Sequence, residues 1–104
     1  MLLEKSKFNQ GDIVSLKLIS GEEVIGKYVS EDMMELVLNK PIMLAMTPKG
    51  PAMAPMMVTL DPEKDYAINK SAIILKGNTV REIADQYTYQ TTGIQPVSAG
   101  SIVT

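Results

Sequence analysis

The chain has no cysteine, no histidine and no tryptophan. The first two absences remove disulfides, thiol nucleophiles, zinc sites of the usual N/S type and the commonest general base. A serine nucleophile needs a base beside it, and only a lysine could serve. The composition therefore points to a protein that is not an enzyme and needs no cofactor or metal. Aromatic residues are 5% of the chain against 45% hydrophobic residues in total, so a core must be built from Ile, Leu, Val and the unusually numerous Met, of which there are 8. Thioether side chains adapt to irregular apolar surfaces and suit core filling and interfaces equally. A long apolar run is also missing after Met1-Leu2-Leu3-Glu4-Lys5, where an acid comes early. Neither a signal peptide nor a membrane span is supported, and a cytoplasmic protein with no membrane partner is expected.

The 104 residues suffice for one domain, because a second core would leave neither half enough buried apolar surface. Lys and Arg number 10 against 12 Asp and Glu, and the pI is about 5.0. Strong sequence-blind binding to nucleic acid depends on clustered cations. Any such site must therefore be local.

Gly11-Asp12 opens the first clear pattern, in which Val14, Leu16 and Leu18 alternate with Ser15 and Lys17 as in a half-buried strand. Ser20-Gly21 supplies a turn, and Glu22 to Val29 reads as the partner strand with Val24 and Tyr28 on one face. Gly26 lies between them, and a glycine inside a strand marks a bulge, a bend or a close backbone approach. Ser30-Glu31-Asp32 predicts the next turn, and Met34, Leu36 and Leu38 a third strand. Beyond Pro41, residues 42–46 and 52–60 are apolar on both faces and flank Thr47-Pro48-Lys49-Gly50-Pro51, the pattern of a long hairpin spanning 41–60. A small barrel has one interior, so the second apolar face is expected against another chain; core plus exposed loop is the other reading.

Asp61, Glu63 and Asp65 share a polar turn whose spacing matches no calcium loop, and a solvated turn is the better reading. Tyr66 to Leu75 is β-like and ends at Lys76-Gly77-Asn78, a turn signal. Val80, Ile83, Ala84 and Tyr87 then fall at helical spacing. Asn78 or Thr79 is placed to cap a helix within 79–92, Glu82 sits in its first turn, and Gly93 would stop it, a strand over 80–90 being the other reading. Residues 93–104 carry no charge and read as a tail, mobile or docked on a neighbour.

Residues 13–38, with Gly21, Gly26, Asp32 and Leu36-Val37-Leu38, resemble the first motif of the Sm/LSm family, which includes the bacterial Hfq proteins. Residues 73–80, Ile-Ile-Leu-Lys-Gly-Asn-Thr-Val, look like the second, in which an apolar strand runs into Arg-Gly-Asn, with Lys76 in place of the Arg. The two motifs cover about a third of the chain, and each alone would also suit other SH3-like barrels. The insert after Pro41 and the Gln-Thr-Thr-Gly-Ile segment are similar to small Sm-like proteins carried by marine phages. The resemblance implies a mainly β, strongly bent Sm-like or SH3-like barrel of about five strands over residues 9–78; the short C-terminal helix read from the spacing departs from it, since a helix at 80–87 displaces or replaces the family's fifth strand. The resemblance also implies a cyclic homo-oligomer of about five to seven subunits that binds single-stranded RNA, or less expectedly DNA, around a pore.

Carried over by position, the base-stacking residue falls at Met33 or Met34, the family's Asn at Glu35, and the second contact at Lys76, Gly77 and Asn78. Two departures weigh against classical uridine recognition. The turn after Asp32 is one residue shorter than usual and ends in Glu35, which accepts hydrogen bonds but cannot donate one to a uracil carbonyl. Methionine also stacks on a base less favourably than an aromatic ring. A structural or protein-interaction module built on the same barrel is the alternative, favoured by the acidic balance and the methionine surface.

Overall fold

The computed structural model describes residues 7–92. The expected tail at 93–104 lies outside them. Six strands form one strongly bent antiparallel sheet: β1 (Ile13–Leu18), β2 (Glu23–Glu31), β3 (Glu35–Thr47), β4 (Gly50–Pro55), β5 (Asp65–Asn69) and β6 (Ile73–Asn78), followed by helix α1 (Arg81–Thr92). The order is β4-β3-β2-β1-β6, and β5 pairs with β3 beside β4. The mainly β class with one C-terminal helix is as expected. Among the described residues no helix is long and apolar enough to cross a membrane.

Alternation builds the core. Val14 and Leu16 from β1, Val24 from β2, and Leu36 and Leu38 from β3 are buried together, and Phe8, Tyr28, Met43, Met56, Ile68 and Ile73 pack around them. Gly26 shows why β2 curls. A Cβ there would lie 2.9 Å from Leu38 Cβ, inside van der Waals contact, so only glycine lets the two strands come this close. The β2–β3 register also shifts between Ile25 and Lys27 and again between Tyr28 and Ser30, which increases the local twist.

Strand β3 serves two partners on one side. Glu35–Asn39 pairs with β5, whereas Ile42–Thr47 pairs with β4. The change falls at Lys40, whose φ is 52°. Helix α1 lies over this kink, with Tyr87 buried and its hydroxyl donating toward the Lys40 carbonyl at 2.8 Å and that of Asn39 at 3.0 Å. Ile25 is buried outside the main cluster, and its cross-strand partner Ile42 lines a cleft shared with Gln90 and Thr91 of α1.

Several sequence expectations need correction. Six strands replace about five, because the β-like run at 66–75 is broken by a 3-10 turn at Lys70–Ala72, where Asn69 Oδ1 accepts from Ser71 N at 3.0 Å. The predicted turn at Ser30-Glu31-Asp32 starts later, since β2 runs through Glu31. Met34 lies before β3 and is 66% exposed. Lys76-Gly77-Asn78 is not a turn: all three residues pair with β1. The return strand of the hairpin stops at Pro55, which lacks a backbone donor, and Met56 packs back onto the core. Thr79 turns its hydroxyl to Ser15 Oγ at 2.7 Å rather than standing free to cap α1.

Candidate nucleic-acid interface

The turn that joins β2 to β3 is fixed by Asp32. Its Oδ1 accepts from the backbone N–H of Met34 and of Glu35, both at 2.8 Å, and its own N–H donates to the Glu35 carbonyl at 2.9 Å. The two side-chain bonds hold the Asp32 carboxyl below its ordinary range, that to Glu35 most strongly. Met33 and Met34 are thereby presented to solvent, 89% and 66% exposed. The Met34 carbonyl accepts from Lys70 N at 2.8 Å, which docks the turn against the 3-10 turn before β6.

In register, Lys76 lies opposite Leu16, which in turn faces Val24 near the start of β2. Yet Lys76 Nζ reaches Glu31 Oε1, at the far end of β2, at 3.2 Å. Only the curl of β2 allows that contact, which bridges the second motif to the turn of the first. Lys70 Nζ meets the same oxygen at 2.9 Å, and Tyr28 donates its hydroxyl to Glu31 Oε2 at 3.2 Å. Burial alone would raise the Glu31 carboxyl, but the two ammonium groups more than reverse it, and the net shift is downward. Burial, and then the Glu31 charge, push the Tyr28 phenol up. Phe8 packs edge-on to Tyr28 with centroids 5.3 Å apart, and Lys76 Nζ lies 6.0 Å from the Phe8 ring centre, at the outer limit of a cation–π contact.

Of the residues carried over from the resemblance, the fold thus brings Lys76 and the Met33-Met34 turn to one region. Glu35 is exposed there, at the start of β3 opposite Asn69. Gly77 and Asn78 continue β6 opposite Ser15 and Val14. A Cβ on Gly77 would meet nothing within 4 Å, so no steric need for glycine exists at that position. Sequence reasoning missed Glu31, Lys70, Tyr28 and Phe8. Glu31 reads as a solvated turn residue, and nothing in the spacing ties it to lysines so far along the chain.

Two cations, Lys70 and Lys76, share Glu31 here, Asp32 and Glu35 are further carboxylates of the same region, and the exposed Met33 and Met34 stand beside them. The lysines can meet a phosphate and the methionines a base surface only against those carboxylates. The carboxylates of the Asp61–Asp65 turn are occupied separately: Asp61 accepts from Glu63 N, Glu63 pairs with Lys40 and Asp65 accepts from Asn39. Among the described residues no acidic cluster is arranged to hold a metal ion.

No known protein family and no curated protein matches this chain in sequence. Among solved structures, a heptameric archaeal Sm protein is similar, with a TM-score of 0.48 and 14% identity over 68% of this chain and 90% of that one.

Proposed function

We propose that this protein is an Sm-like subunit of a cyclic homo-oligomer, about five to seven copies, that binds single-stranded nucleic acid, RNA in preference to DNA, and catalyses nothing. The observation that carries the reading is the meeting of the two motifs: Lys76 of the second pairs with Glu31, which directly precedes the turn that Asp32 fixes in the first. Assembly follows from the open edges. Among the described residues β6 pairs with β1 alone and β5 with β3 alone, while Ile74 and Leu75 on β6 are 62% and 69% exposed. Pairing β6 of one subunit with β5 of the next satisfies those two edges, leaving β4 open, and gives a head-to-tail contact that closes into a ring. Repetition then multiplies a weak local site, each copy supplying Lys70 and Lys76 for phosphate against Glu31, Asp32 and Glu35.

Fluorescence anisotropy with U-rich, A-rich and mixed RNA and DNA oligomers tests this reading. Binding at low salt is expected, with weaker affinity and a shallower salt dependence for Lys76→Ala. No binding by an assembled ring would refute it. A second reading rests on Glu31, which already neutralises part of the lysine charge, and on the exposed Met33-Met34 pair: a protein-interaction module without nucleic acid. Recovery of a specific protein partner and no nucleic acid would decide for that alternative.

A further inference from the structure

We propose that the cleft beside Lys40 receives residues 93–104 of the same chain. The cleft has a volume of about 320 Å³ and is bounded by Ile42 of β3, Met53 of β4, Met57 and Leu60 of the following loop, and Gln90 and Thr91 of α1. The last turn of α1 is therefore one of its walls. Lys40 fixes that wall, since its Nζ donates to the Thr91 carbonyl at 3.3 Å while pairing with Glu63 at 3.2 Å. The chain that follows α1 accordingly starts at the rim.

The chemistry of the two parts matches. Residues 93–104 have no charged side chain in a protein that is 21% charged, and they carry Ile94, Val97, Ile102 and Val103. The cleft offers aliphatic and thioether side chains, with Met57 left 54% exposed there, and its charged lining is Lys40, Asp61 and Glu63, of which Lys40 and Glu63 are paired to each other. At about 3.5 Å per residue, Ile94 and Val97 are within reach of the cleft without any rearrangement of α1. Covalent linkage makes the contact intramolecular and spares the translational cost that a second copy would bear. This inference is independent of nucleic-acid binding.

The absence of native cysteine gives a clean test. Met57→Cys, at a half-exposed position that leaves the core intact, is combined in turn with Ile94→Cys and Val97→Cys, and Met33→Cys with Ile94→Cys serves as control. Under oxidised glutathione, at least one cleft pair should form an intrachain disulfide about tenfold faster than the control. A disulfide between chains would overturn the proposal in favour of a second copy as occupant, and rates equal to the control would overturn it outright. Separately, hydrogen exchange of 53–60 should accelerate about tenfold in the chain ended after Thr92. Unchanged exchange would contradict the proposal.

Discussion

The two halves of β3 are built on opposite terms. Glu35–Asn39 runs between β2 and β5 and contributes Leu36 and Leu38, both 0% exposed, to the core. Beyond Lys40 the same strand pairs with β4, none of its side chains is fully buried, and Met46 is 76% exposed. The first half is specified by alternation against one interior. The second is apolar on both faces and depends on what covers it, β4, the helix side or a further partner. Lys40, with its positive φ and Pro41 directly after it, marks the border, and Tyr87 clamps it through the carbonyls of Asn39 and Lys40.

That contrast can be broken most sharply by truncation. Leu36→Ala should cost about 2–5 kcal/mol in denaturant unfolding, because it opens a cavity in the closed half. Leu44→Ala, half-buried in the outer half, should cost about 1 kcal/mol or less. Equal losses would erase the distinction.

Next in size is Gly26→Ala, which forces a Cβ against Leu38 and should cost about 1–3 kcal/mol. Leu38→Ala removes the Cδ1 that would also lie 2.9 Å away but keeps the Cβ, so the pair should cost less than the sum of the two single changes by about 0.5 kcal/mol. Additive losses would remove Leu38 Cδ1 from the cause.

Tyr87→Phe tests the clamp at the border. Losing the hydroxyl should cost about 1 kcal/mol at neutral pH. Burial pushes this phenol up from 10.0 to about 12. Its folded value exceeds its unfolded one, so its contribution is complete below pH 10.0 and is lost as pH rises toward about 12. Wild-type stability should fall through that window, and Tyr87→Phe should remove that part of the fall.

The smallest effect belongs to Glu31→Gln, at most about 1 kcal/mol near neutral pH. The Glu31 carboxyl is shifted below 4.5, so its stabilisation is present above that value and disappears as pH falls through the lowered folded one. The variant should lack this acid-side loss. It should also bind oligonucleotide more tightly, since Lys70 and Lys76 lose their competing anion. Weaker binding would assign Glu31 to the ligand instead.

The closed half of the molecule was legible in advance because its information is local. Val14, Leu16, Val24, Leu36 and Leu38 announce themselves by alternation, Gly26 by interrupting it, and α1 by the spacing of Ile83, Ala84 and Tyr87. The site was legible only in part. Lys76 and the Met33-Met34 turn stand at motif positions, but Gly77-Asn78 imitates a turn and is held in a strand by residues of β1 distant in sequence. Glu31 and Lys70 become partners only through the curl of β2, a tertiary effect that no residue spacing records.

Native mass by light scattering on a sizing column, with absorbance at 260 and 280 nm read across the peak, tests the central claim most directly. A mass of about five to seven times the 11.4 kDa chain, assembled through β5 and β6, is the predicted result, with a raised 260 nm signal where nucleic acid co-purifies. A monomer of 11.4 kDa at working concentration would contradict the ring and with it the combined lysine site.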